Sequence, residues 1–177
     1  MKYLKALLIS IGFVFILMLY FNNELNKSIT GVILDSFWIN FVTILYLMFL
    51  HYIMNTSFSD KFHKIRHFEK SGKMYRMIGV KVFKYILANN PYPTFTAKLA
   101  IESFSVEGLC KLEKRMRDAE AIHFQAFVAS LIVMIPFGLA RDYRFFYFMT
   151  IFNIINNLYP VFVQRYNRNR INRIIEK

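Results

Sequence analysis

The residues best placed to do chemistry in this chain are Glu120 and His123. Three positions apart, they share a face if the segment is helical. A carboxylate there could orient the imidazole and raise its basicity. A general base needs both to take a proton from a hydroxyl. The alternative is an interfacial histidine held in a structural ion pair. Zinc finds less support, because no second convincing ligand pair accompanies these two, with His63 and His67 as outliers, and no metal is expected.

A second constellation is Gln164-Arg165-Tyr166-Asn167-Arg168-Asn169-Arg170. Three arginines in six residues could clamp phosphate or carboxylate groups bidentately. For a generic protein such a run is an anchor at lipid headgroups, but an anchor needs only charge, and the tyrosine and asparagines add something more specific. A third stretch, Phe68-Glu69-Lys70-Ser71-Gly72-Lys73-Met74-Tyr75, reads by spacing as a polar turn before an amphipathic segment. The chain has no His-x4-Asp box, no Asp-His-His-Cys, no Walker loop, no Gly-x-Ser-x-Gly elbow and no His-Glu-x-x-His. Cys110 is the single cysteine, which excludes an internal disulfide and a cysteine-based metal site within one chain.

The elements that must position these residues are set by long apolar blocks. Hydrophobic residues make up 56% of the 177, aromatics 18% and charged residues only 19%, below the usual quarter of a soluble domain. The blocks run over about 4–21, 37–54, 122–140 and 145–163. Each is near the length a helix needs to cross ~30 Å of hydrocarbon. The first opens on Met1-Lys2 but lacks a small-x-small cleavage site and ends at Asn22-Asn23-Glu24, so an uncleaved span is expected. Pro136 lies inside the third block. Asn153, Asn156 and Asn157 lie inside the fourth and should face a bundle or cavity, since facing lipid is costly. The expected class is an all-α integral membrane protein, a single membrane domain over 1–177 with about four transmembrane helices and amphipathic interfacial helices.

The 55–121 segment holds 13 Lys+Arg and 7 Asp+Glu. From Met77 onward it suggests an amphipathic helix on the membrane surface. Asn89-Asn90-Pro91-Tyr92-Pro93 is a break. A helical stretch resumes near Val106, where Glu113 and Arg117, four apart, can pair. The basic N-terminal edge, middle segment and tail fall on one side of a four-span topology, which places both termini and 55–121 in the cytosol. A net charge of +12 suits anionic lipid or phosphate-bearing ligands. Nucleic acid is disfavoured, because most aromatics sit within apolar runs.

Taken together, FEKSGKMY (68–75), Phe83-Lys84, AEAIHF (119–124) and NNLYPVFVQRYNRNR (156–170) resemble the glycosyl-4,4'-diaponeurosporenoate acyltransferase family, small bacterial membrane acyltransferases that complete staphyloxanthin-type carotenoids. Order and rough spacing agree over about residues 66–173, and QRYNR is the most specific part. Asn169 stands where the family has a proline, which is expected to loosen the tail. Phe83 replaces a tryptophan, and Asp118 stands where a basic residue is usual.

The resemblance implies a cell-membrane, multi-pass enzyme of carotenoid biosynthesis. It would transfer a fatty acyl group from a thioester such as acyl-CoA to a hydroxyl of a lipid or glycolipid. No cofactor is implied. His123 would be the general base and Glu120 its orienting partner. Arg165, Arg168 and Arg170, with Tyr166 and Asn167 of the same motif, would bind phosphates of donor or headgroup. Asn156 and Asn157 would line the cavity or donate to the oxyanion, and Glu69 and Lys84 are secondary candidates. A non-enzymatic scaffold or lipid-binding partner protein remains the alternative; a transporter is a third reading, for which four spans without an acidic residue are few.

Overall fold

A computed structural model of the chain describes residues 28–54, 58–89, 105–139 and 141–176, together with Gly12. The regular structure among them is helical: α1 (Ile29–Met54), α2 (Asp60–His63), α3 (His67–Lys70), α4 (Lys73–Met77), α5 (Val80–Ala88), α6 (Val106–Leu139), α7 (Tyr143–Asn153), a π-helical turn (Ile154–Leu158) and α8 (Tyr159–Ile175). No strand occurs among the described residues. Three helices are long and apolar enough to cross a membrane: Ile29–Met54, Val106–Leu139 and the run Tyr143–Ile175. The block expected to span at 4–21 lies outside the described residues.

Helix boundaries differ from the apolar blocks in an instructive way. α1 starts at Ile29, eight residues before the block at 37, because Ser28 caps it: Gly31 N–H donates to Ser28 Oγ at 3.2 Å, and the intervening residues are mostly apolar. α6 is one helix of 34 residues, about 51 Å long at 1.5 Å per residue, joining the charged stretch from Val106 to the third apolar block. Pro136 sits inside it. The fourth block and the basic tail are likewise continuous, apart from the π turn at Ile154–Leu158. Pro160 follows that turn and has no N–H to give the preceding turn, a defect that a π-bulge accommodates.

The chain divides into two compact units. The first comprises Met1–Thr56 and Gln125–Asn157. Its core is Val32, Ile39, Met134, Phe137, Phe145 and Met149. The buried face of α1 follows helical spacing through Val32, Ser36, Ile39, Asn40 and Thr43, while Trp38, Leu45 and Phe49 stay exposed. Ser36 and Thr43 donate back to the carbonyls of Val32 and Ile39, each at 2.7 Å. Asn153 and Asn157 are buried as expected, and Asn156 is half-buried. Asn157 Nδ2 donates to Asn153 Oδ1 at 2.7 Å and to Asn40 Oδ1 at 3.3 Å. Asn153 Nδ2 donates to the Phe127 carbonyl at 3.1 Å. The turn into α7 is capped by Asp142, whose Oδ1 accepts from Phe145 N at 3.3 Å.

The second unit comprises Ser57–Phe124 and Leu158–Lys177. It has two small apolar clusters. Leu109, Leu112 and Met116 of α6 pack on Ile171 of α8. Tyr75 and Val80 pack on Val163, flanked by Phe83, Phe162 and Tyr166. The amphipathic segment expected from Met77 is the short α5, which buries Val80 and leaves Val82, Tyr85 and Ile86 exposed. Between the two clusters lies a set of charged side chains.

Candidate functional site

The site grows from two helix faces of the second unit. On α6, Glu113, Arg117 and Glu120 follow i, i+4, i+7 and share one face. On α8, Arg165, Arg168 and Asn169 share another. The short helices α2 and α3 supply the remaining members, Asp60, His63 and Glu69.

Arg165 is the centre. Its Nε and Nη2 grip Glu69 bidentately at 2.7 and 2.8 Å, and Nη1 reaches Glu120 Oε1 at 2.6 Å. Nη1 and Nη2 also donate to the carbonyls of Phe62 and Lys64 at 3.2 and 2.9 Å. An arginine has five N–H donors, and these bonds use all of them. The fork of Arg165, expected to bind a phosphate, is filled here from within the chain.

Arg168, buried beside it, donates Nε to Glu113 at 2.9 Å, Nη1 to Glu120 Oε2, and Nη2 to the His63 carbonyl at 2.8 Å. Arg117 closes the set. It chelates Glu113 with Nε at 2.8 Å to both oxygens, the i, i+4 pair expected from sequence, and reaches Asp60 at 2.5 Å. Four carboxylates thus meet three guanidiniums. Asp60 is exposed, but Glu69, Glu120 and Arg168 are buried, and burying such charges is costly unless each is paired and hydrogen-bonded, as these are.

Glu69 is held from three sides. Tyr75 Oη donates to Oε1, Arg66 N–H donates to Oε2 at 2.6 Å, and Arg165 clamps both oxygens. Burial alone would raise its pKa; the bonds from Arg165, Tyr75 and Arg66 outweigh burial and hold the carboxyl below its usual range. The Tyr75 phenol is pushed up, by burial first and then by the Glu69 carboxylate. Gly72, at φ +65°, is the left-handed N-cap of α4, the helix that carries Tyr75. A Cβ on Gly72 would stand 3.3 Å from Tyr166 Cε2.

The imidazole that the structure brings to Glu120 is one that spacing set aside. His63 Nδ1 lies 3.5 Å from Glu120 Oε2, in a buried position walled by Phe58, Phe62 and Phe124. Burial lowers its pKa; the pull of Glu120 in the other direction does not recover it. His123 is half-buried, one helical turn beyond Glu120. Asp60, His63, Lys64, Arg117, Arg168 and Asn172 line a cavity of about 550 Å³. That volume lies within the range of small-molecule sites.

The remaining candidates fall as follows. Lys84 Nζ donates to Asn167 Oδ1 at 2.6 Å and sits 5.6 Å from the Tyr166 ring centroid, so those three meet. Arg170 is exposed. Asn156 and Asn157 belong to the other unit, where Asn157 gives its amide hydrogens to Asn40 and Asn153. Asn169 does the opposite of loosening the tail. Its Nδ2 donates to the carbonyls of Glu69 and Lys70 at 2.8 and 3.0 Å and pins α8 to α3, a service proline has no N–H to perform. Sequence reasoning missed His63, Asp60 and Tyr75 as members of the set. Tyr75 closes the quoted FEKSGKMY run, so that run held the signal.

Long apolar helices and a largely buried ionic site define a helical membrane protein with the makings of an enzyme. The family model of glycosyl-4,4'-diaponeurosporenoate acyltransferases matches residues 59–177, about two thirds of the chain, and the chain belongs to that family. It is a membrane acyltransferase. The match begins seven residues before the stretch expected from motifs and runs to the last residue. No curated protein and no solved structure matches the chain.

Proposed function

We propose that the chain transfers a fatty acyl group from a thioester donor to a sugar hydroxyl of a glycosylated carotenoid or related glycolipid, with His123 as general base. One observation carries this reading. Arg165 and Arg168, of the QRYNR motif, bond one oxygen each of Glu120, Oε1 and Oε2 respectively, three residues before His123. The two most specific motifs of the chain therefore meet at one carboxylate. Glu120 acts as a positioning residue: anchored by both arginines, it fixes the turn of α6 that carries His123.

The chemistry balances simply. His123 takes the proton of the acceptor hydroxyl as the oxygen attacks the thioester carbonyl. The tetrahedral oxyanion collapses, the C–S bond breaks, and the imidazolium returns the proton to the leaving thiolate. In the topology that supports this, four spans place both termini and the basic segment in the cytosol, where a soluble thioester meets a membrane-embedded acceptor. The exposed apolar residues of α5 rest on the membrane surface, among anionic lipids.

A second reading makes His63 the base. It is favoured by the 3.5 Å approach of His63 Nδ1 to Glu120 and by its place in the 550 Å³ cavity. Acyl transfer to glycosyl-4,4'-diaponeurosporenoate from acyl-CoA, measured in nanodiscs, separates the two. His123→Ala is expected to lower kcat about 100-fold or more, the usual contribution of a general base, with helix content unchanged. Wild-type rates in His123→Ala together with loss in His63→Ala would transfer the role to His63. Full activity in both would overturn an imidazole base at either position.

A further inference from the structure

The four carboxylates of the ionic cluster are all taken by Arg117, Arg165 and Arg168. Close by in the same unit, a second cavity of about 210 Å³ has the opposite character. Arg76, Arg170 and Arg173 line it with Ser71, Tyr166 and Asn169, and the lining contains no carboxylate. Arg76 comes from α4, and Arg170 and Arg173 lie three apart on α8, so the guanidiniums belong to two elements.

The walls are built to stay open. Gly72 lines the cavity too, and a side chain there would press on the Tyr166 ring at 3.3 Å. Asn169, buried, ties α8 to the Glu69 and Lys70 carbonyls at the end of α3, three residues before α4 begins. Lys84 adds to the local field. It lies over the other part of Tyr166, and after burial the charge of Arg170 is what lowers its pKa. Arg76, Arg170 and Arg173 are exposed, and an anion seated among them would face three positive charges. At about 210 Å³ the cavity has room for a phosphoryl or diphosphoryl group. Three forked donors also suit the oxygens of a phosphate better than the two of a carboxylate.

We propose that the cavity bounded by Arg76, Arg170 and Arg173 is a phosphate-binding site, separate from the Glu120 cluster. Its ligand is the phosphoryl portion of a soluble phosphorylated compound or of a membrane lipid headgroup. Arg170 keeps the phosphate role expected of the tail, while Arg76 and Arg173 replace Arg165 as its partners.

The test uses the full chain in phosphatidylcholine nanodiscs titrated calorimetrically with inorganic pyrophosphate. Wild type is expected to bind saturably. Arg170→Gln/Arg173→Gln should bind at least tenfold more weakly, Arg76→Gln should also weaken binding, and Lys111→Gln, on the exposed Glu107 pair, should leave it unchanged. Repeating the titration with phosphatidylglycerol in the disc identifies the source. Binding unaffected by the anionic lipid assigns the site to a soluble phosphate; binding suppressed by it in wild type assigns the site to a headgroup. The proposal is overturned if wild type shows no saturable binding in phosphatidylcholine, or if the arginine variants bind as wild type does. Acyl transfer is measured separately, so failure here leaves the proposed reaction standing, and failure of the reaction leaves the anion site standing.

Discussion

The two compact units hold polar groups out of water by different means. In the first, the buried polar set is neutral. Asn40, Asn153 and Asn157 share amide hydrogen bonds, and Ser36 and Thr43 return their hydroxyls to carbonyls one turn back. Such bonds ask little of the surroundings, because an amide deprived of one partner finds another on its own helix. In the second unit the buried set is ionic. Glu120 is fully buried and depends on two arginines from a helix 45 and 48 residues away in sequence. Removing one member there strands a charge. The contrast separates a scaffold that tolerates substitution from a site that does not.

The sharpest way to break that contrast is Glu120→Ala. It leaves Nη1 of both Arg165 and Arg168 without their carboxylate, and a broken buried ion pair costs about 3–5 kcal/mol. Unfolding in mixed micelles, followed by circular dichroism, should show a loss of that order; a loss under about 1 kcal/mol would mean that water reaches the cluster.

Acidification probes the same set by degrees. His63 has a lowered pKa in the folded chain, so below about pH 6.5 the unfolded state takes up a proton that the folded imidazole refuses. Stability therefore falls as pH drops through that value. Glu69, whose pKa is also lowered on folding, contributes stability that is complete above about pH 4.5 and is lost as pH falls through its folded value. Two acid-side steps are expected in a pH series of unfolding midpoints. His63→Gln should remove the upper one and Glu69→Gln the lower.

Gly72→Ala comes next. The left-handed backbone costs a Cβ about 1–2 kcal/mol, and Tyr166 must also yield at 3.3 Å. The smallest effect belongs to the first unit. Asn157→Ala should cost about 0.6 kcal/mol, the average for interhelical hydrogen bonds in membranes. If Asn157→Ala cost as much as Glu120→Ala, the distinction between the two units would disappear.

Much of this molecule was legible from one dimension. Apolar runs of spanning length mark the three long helices, because the bilayer sets a minimum length that chance rarely meets. The Glu113–Arg117 pair follows from helical spacing alone. The motif resemblance marked Glu69, Lys84, Glu120 and the tail arginines, and the family match over 59–177 bears out the family. What spacing could not supply was which helix face meets which. Periodicity says that Arg165 and Arg168 share a side of α8. It does not say that Glu69 and Glu120, 96 and 45 residues earlier in the chain, wait opposite Arg165. Nor does it say that His63 lies nearer the Glu120 carboxylate than spacing suggested. Charge type and helix length are properties of a segment, so the sequence by itself determined them. Saturation of a guanidinium by five acceptors is a property of a meeting point, and only the tertiary structure decided that Arg165 is filled while Arg76, Arg170 and Arg173 border a cavity without an acid.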